Sequence, residues 1–298
     1  MFTAILGPKF MAKDIGFQNT AGAIKHQAVA LKIQSDQSIF HNCQMDGYQD
    51  TLYAHSQRQF FRDCTISGTI DFIFGDSTAV FQNCKLIVRK PLDNQQCIVT
   101  AQGRSNRRLA TGFVFQKCII SGAQDYLPVK VRSKTYLGRP WHQYSRTIIM
   151  QSWLNDIIAP QGWLPWSGNF ALDTLWYAEF NNQGAGAVQT NRVKWKGIKK
   201  ITAAEAKQFT AGVFLLGGQW IPNSGVPYTA AHHLVRHGNK EARGTWCWTC
   251  QSNHTVETGY RHRLGTPVGG SKNIENCSWS DEVHLLVRTR KRYALKGS

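Results

Sequence analysis

Two aspartates occupy matching places in two short strings, Gly47-Tyr48-Gln49-Asp50 and Gly68-Thr69-Ile70-Asp71, 21 residues apart. If those places stack, two carboxyl groups lie roughly one strand spacing apart, about 4.8 Å. Both cannot ionise cheaply, so one pKa is expected to rise and the other to stay low. That makes an acid and a nucleophile from one residue type. Turn capping is the commoner role for Asp after Gly. Against it, Asp71 leads into Phe72-Ile73-Phe74-Gly75, an apolar run that desolvates a carboxylate. Gln27 precedes Gln49 by 22 residues, so two amides also fall one layer apart beside the carboxylates. Paired amide donors suit an oxyanion. Arg139, fixed between Gly138 and Pro140, suits holding a carboxylate ionised, and Trp141 suits stacking on a sugar ring. Singly these read as a surface Gln, a surface Arg and a core Trp; their convergence carries the argument.

A repeat supplies the stacking. Phe-x-x-Cys recurs at Phe40–Cys43, Phe61–Cys64, Phe81–Cys84 and Phe115–Cys118, with steps of 21, 20 and 34 residues and a degenerate earlier copy at Phe17–Thr20. Each copy leads into a short alternating segment closed by a turn, which reads as a strand. The unit is too short for a βαβ crossover and suits one coil of an all-β solenoid, with a Phe ladder and a Cys ladder lining the core. The alternative is coincidental spacing in a sandwich of short strands. The step of 34 implies an extra loop of about 13 residues within 90–112, and Gly122-Ala-Gln-Asp125 falls over both aspartate strings at the longer step. Cys64 and Cys84, on adjacent coils, are placed to bridge and are equally comfortable unpaired.

The 298 residues are 42% hydrophobic and 11% aromatic, enough for a sizeable core, which excludes a disordered basic tail protein. Lys plus Arg number 35 against 18 Asp plus Glu, a formal +17, and an anionic partner is expected: nucleic acid, an acidic membrane surface or an acidic polysaccharide. Residues 1–231 carry 24 basic and 13 acidic groups, or +11, and 232–298 carry 11 and 5, or +6. No apolar run approaches the roughly 18 residues that span a bilayer, and lysine interrupts the opening MFTAILGPKFMAK before a signal core forms. No membrane association is expected. A GxSxG elbow, a P-loop and a Rossmann glycine pattern are all lacking. His26, His41, His55 and His142 read as surface or packed residues.

The strings GFQNTAG (16–22), HQAVAL (26–31), YQDTLY (48–53), RQFFRDC (58–64), GTIDFIFG (68–75), VTAQGR (99–104) and YLGRPW (136–141), with WYAEFNNQGAGA and RVKWKG further on, closely resemble plant pectinesterases over about residues 1–230. The resemblance implies a right-handed parallel β-helix. It makes Asp71 the nucleophile on the methyl-ester carbonyl of a galacturonate unit and Asp50 the general acid, then base. It makes Gln27 and Gln49 the oxyanion donors, gives Arg139 the holding of Asp71, and gives Trp141 contact with the sugar. It implies no cofactor, no metal, methyl-esterified homogalacturonan as substrate, a proteinaceous pectinesterase inhibitor as a second partner, a monomer, and an extracellular, cell-wall location. Family catalytic domains begin with further coils containing Gly-x-Tyr-x-Glu. Residues 1–230 are therefore expected to form an N-terminally truncated catalytic domain whose solubility and activity suffer from the missing cap. Residues 231–298 are expected to be a basic, unstructured extension, in which Cys247, Cys250, His254 and Cys277 are of the right kinds for zinc at spacings that fit no standard finger. The competing reading is a catalytically impaired fragment that binds acidic pectin, or nucleic acid, through its basic surface; no nucleic-acid reader motif supports the latter.

Overall fold

A computed structural model describes residues 3–231; the tail cysteines and His254 lie outside the described residues. Its described strands stack into three long parallel sheets, with a fourth, two-stranded parallel pair of Cys97–Ile98 and Thr135–Tyr136. A five-stranded sheet joins Thr3–Ile5, Leu31–Ile33, Leu52–Ala54, Ile73–Gly75 and Thr100–Gln102. An eight-stranded sheet runs from Met11–Lys13 through Ser38–His41, Arg58–Arg62, Thr78–Gln82, Gly112–Gln116, Arg146–Met150 and Trp176–Phe180 to Ile198–Lys199. A six-stranded sheet runs from Gly16–Gln18 through Gln44–Asp46, Thr65–Gly68, Lys85–Val88 and Ile119–Gly122 to Trp153–Leu154. The architecture is the all-β parallel solenoid expected from the repeat.

The repeat is the chemistry of one corner. Its Phe is the next-to-last residue of a strand of the eight-stranded sheet, its third residue bends the chain, and its Cys re-enters the core before the six-stranded sheet begins. The bend is one left-handed residue: Asn42 (φ 53°), Asp63 (56°), Asn83 (56°) and Lys117 (55°). Asn and Asp tolerate that conformation best, and Asn83 donates to the Asp63 carboxylate of the coil before at 2.5 Å. Phe40, Phe61, Phe81 and Phe115 pair in register. Their rings stack at 5.1, 4.4 and 4.6 Å. Cys64 and Cys118 donate to the carbonyls of Phe40 and Phe81 at 3.3 Å. The described cysteines are all unpaired, Cys64 and Cys84 included. Phe81 is fully buried between two rings, so Phe81→Ala is expected to cost about 3–5 kcal/mol. A fall in melting temperature on the order of 10 °C, read by circular dichroism, is the check.

Three expectations are corrected. Phe17 is not a ladder member: Ala12 pairs with Phe40, while Phe17 pairs with Met45 in the six-stranded sheet and meets Phe40 edge-on at 6.1 Å. The step of 34 is not one loop. Cys97–Ile98 and Thr100–Gln102 stay in the stack because their apolar groups are buried, so the excess divides between 89–96 and 103–111. Asp125 leaves the aspartate column and lies exposed in a turn. The register of Ile73 with Thr100 puts Ile98, not a carboxylate, under Asp71.

The outer face of the eight-stranded sheet is covered by the segment containing Ala203–Lys207 and Ala211–Phe214. Phe60, Val80, Val114 and Ile148 pack there against Ala206, Ala211, Leu215 and Ile221. The five-stranded sheet carries the half-buried Lys32, Tyr53 and Phe74 at its alternate positions. Among the described residues no helix is long and apolar enough to cross a membrane.

Candidate active site

Asp50 and Asp71 sit at the corner between the six-stranded and five-stranded sheets, each in the left-handed region (φ 64° and 49°). The amide of Asp50 donates to the carbonyl of Ile70 at 3.0 Å, so the two corners lie in adjacent coils. A column of two carboxyl groups follows from the stacking itself. Gln27 and Gln49 form a parallel bridge beside it, one coil apart. Neither amide side chain has a hydrogen-bond partner among the described residues, so both keep donors for a ligand.

Arg139 arrives from a distant turn of the chain. Its Nε donates to Asp71 Oδ1 at 2.9 Å and Oδ2 at 3.2 Å, and its Nη2 donates to Oδ2 at 2.6 Å. Its backbone amide is tied to the Thr100 carbonyl at 3.0 Å. Gly138 makes that approach possible: a Cβ there would stand 2.2 Å from Thr100 Oγ1. The guanidinium also lies 4.4 Å from the ring centre of Trp166, which is 38% exposed. Trp141 is half-buried, 5.9 Å from the Phe74 ring and 6.4 Å from Tyr53, with His142 stacked on it at 4.9 Å. The arrangement gathers Asp50, Asp71, Gln27, Gln49, Arg139 and Trp141 around one corner of the solenoid.

The electrostatics differ from the expectation of one raised and one low carboxyl. Asp71 is 5% exposed, and burial pushes its pKa up, opposed by its hydrogen bonds to Arg139 and by that cation's charge. Asp50 is pushed up to about 7, first by burial and then by the charge of Asp71, with Arg139 pulling the other way. Burial raises both because the apolar coil desolvates both. The asymmetry lies in the partner: the guanidinium bonds to Asp71 and not to Asp50, whose pKa burial and then the charge of Asp71 push up to about 7.

Asp50 therefore takes up a proton on folding between pH 4 and 7. Its folded pKa lies above the unfolded one, so its contribution is undiminished below about pH 4 and is lost as pH rises towards 7. Asp50→Asn cannot ionise and escapes that loss. Thermal unfolding is expected to show the variant more stable than the parent at pH 8, by on the order of 5–10 °C, and equal at pH 4. Equal melting temperatures at both would contradict the raised pKa.

Three contributors were not singled out from sequence. Tyr53 and Phe74 stack at 4.3 Å on the outer face of the five-stranded sheet. Each follows its aspartate by three residues, a recurrence that marks them as a row. Trp166 has no such signal, since it reaches Arg139 from outside the repeat.

A family sequence model described as Pectinesterase matches residues 2–219. "Probable pectinesterase/pectinesterase inhibitor 21" of Arabidopsis thaliana is 62% identical over 226 residues, which cover 76% of this chain and 34% of the relative. The chain thus spans about a third of that relative's length. A Petunia integrifolia protein described as "Pectinesterase" is 55% identical over 227 residues, 75% of this chain and 61% of the relative. Among solved structures, the "Pectin methylesterase from Carrot" is 51% identical with a TM-score of 0.76, covering 77% of this chain and 72% of that one.

Proposed function

The chain belongs to the pectinesterase family, and from that premise we propose that it hydrolyses the methyl esters of galacturonate units in pectin to give de-esterified pectin and methanol. The observation that carries the proposal is geometric: two carboxyl groups at equivalent corners of adjacent coils, with the Arg139 guanidinium bonded to Asp71 and not to Asp50.

The ionised Asp71 attacks the ester carbonyl carbon. The oxygen that becomes negative meets the amide donors of Gln27 and Gln49, which stabilise it more than they stabilise the ground-state carbonyl. As the tetrahedral species collapses, Asp50 gives its proton to the departing methoxide and methanol leaves. The remaining acyl group is an anhydride between Asp71 and the sugar carboxyl. Asp50, now a carboxylate, takes a proton from water, the hydroxide adds to the anhydride, and Asp71 leaves as the carboxylate it began as. The Trp141 ring and the outward edges of the stacked Tyr53 and Phe74 rings offer apolar surface for sugar rings.

The formal +11 of residues 1–231 suits adhesion to polygalacturonate. The Arabidopsis relative's double name supports a proteinaceous pectinesterase inhibitor as a second partner. An extracellular, cell-wall place of action is proposed on the resemblance of the sequence motifs to plant pectinesterases alone. Methanol release from methyl-esterified pectin, with acidification of the solution, tests the proposal directly.

A further inference from the structure

Resting on that esterase reading, we propose that Lys32 is a specificity-determining residue whose ammonium holds the free carboxylate of a galacturonate unit next to the one whose ester is cut. Lys32 lies in Leu31–Ile33 and pairs in register with Tyr53, which pairs with Phe74. Leu31, Ile33, Leu52, Ala54 and Ile73 are fully buried in the coil. Strand alternation therefore puts Lys32, Tyr53 and Phe74 together on the outer face, about 4.8 Å apart per coil. The row starts at Ala4, which pairs with Lys32, and continues from that cation as two stacked rings towards Trp141.

The ammonium lies 5.4 Å from the centre of the Tyr53 ring. Among the described residues no carboxylate pairs with it, although arginines at 58, 132, 139 and 192 each have one. Lys32 is half-buried. Its charge reaches the groups around it: burial and then Lys32 lower the pKa of His55. Across the same ring, burial and then the charge of Asp50 raise the pKa of the Tyr53 phenol. The unpaired cation and the general acid therefore flank one aromatic side chain.

A half-buried ammonium without a counterion is better stabilised by an anion than by a neutral group. The repeating units of the proposed substrate differ in one respect that charge can read: each carries either a neutral methyl ester or a carboxylate. With its neighbour's ring against the outward edges of the stacked Tyr53 and Phe74 rings, a carboxylate-bearing unit places its charge within reach of Lys32. An esterified unit leaves the ammonium unsatisfied.

Lys32→Met keeps the aliphatic stem over Tyr53 and removes the charge; Lys32→Arg keeps the charge. Calorimetric titration in an Asp71→Asn background, where esters are not consumed, compares an unesterified galacturonate hexamer with its fully methyl-esterified counterpart. Lys32→Met is expected to weaken the unesterified hexamer about five- to tenfold and leave the esterified one unchanged, while Lys32→Arg binds as the parent does. Equal losses on both hexamers, or no loss on either, would overturn the proposal. Methanol release by the otherwise unaltered protein is measured in parallel. Its absence would sink the esterase reading, and the two titrations would still decide whether Lys32 reads the carboxylate.

Discussion

Asp71→Asn is expected to abolish methanol release from esterified pectin, with a loss of about 10⁴-fold or more, and to leave the solenoid folded. An amide has no lone pair of comparable nucleophilicity and forms no acyl intermediate, so the two-step route closes. The remaining groups, the amides of Gln27 and Gln49 and the acid Asp50, have nothing to act on except direct attack by water. The fold survives because Asn has the shape of Asp and still accepts from Arg139 through its carbonyl oxygen. The guanidinium left without its counterion is 22% exposed at the side chain and can be hydrated. A second effect follows in the titration of the neighbour. The charge of Asp71 is the second largest cause of the raised Asp50 pKa, so Asp50 in the variant should titrate lower than about 7 while burial keeps it above the ordinary carboxylate range. Residual activity above about a hundredth of the parent's, with an unchanged far-ultraviolet spectrum, would take the nucleophile's role away from Asp71.

How much of this was legible in the sequence depends on which physical signal each part leaves. Phe40, Phe61, Phe81 and Phe115 read as a ladder because stacked coils must bury equivalent residues over one another, and burial writes itself into spacing. Phe17 misled because it is apolar and three residues before a hydroxyl-bearing Thr20, yet it belongs to a different sheet and only touches the ladder edge-on. The bend residue of each Phe-x-x-Cys copy went unread, although Asn42, Asp63 and Asn83 carry the signature of left-handed backbone; Lys117 at the fourth copy blurs it. The split of the long insertion was hidden for a different reason. Cys97, Ile98 and Val99 are a strand-like apolar run inside a stretch otherwise rich in polar and turn residues, and composition averaged over the whole stretch reads as loop.

The site followed the same division. Asp50, Asp71, Gln27 and Gln49 are set by coil periodicity, so their proximity follows from arithmetic on the repeat. Arg139 lies 68 residues from Asp71 and its contact depends on tertiary structure; its stiff Gly-Arg-Pro setting suggested a fixed guanidinium without saying what it would hold. Trp166 reaches that guanidinium from a loop and left no trace in spacing. The rise of both carboxyl pKa values was also beyond the sequence, because two charges side by side argue for divergence, whereas the measure of burial at each one comes only with the packed coil.

Arg139→Ala is expected to lower the rate by about 10²–10³-fold near pH 6 and to recover part of it as the pH is raised. The guanidinium is what opposes burial at Asp71, through its hydrogen bonds first and its charge second. Without it the Asp71 pKa climbs further, and each unit of climb removes about tenfold of the ionised nucleophile below that pKa. Arg139 also lowers the pKa of Asp50, so the general acid keeps its proton to higher pH in the variant. Both limbs of the pH–rate profile therefore move in the alkaline direction together. Arg139→Lys, which restores a cation without the two-nitrogen grip, should place both limbs between parent and alanine variant. Stability carries the same sign. At pH 4 a protonated Asp71 needs no counterion and the alanine variant unfolds near the parent's temperature. At pH 8 it holds an uncompensated buried carboxylate, at a cost of about 3–5 kcal/mol. A rate loss of equal size at every pH from 5 to 9 would show that Arg139 acts through substrate geometry alone and leaves the ionisation of Asp71 untouched.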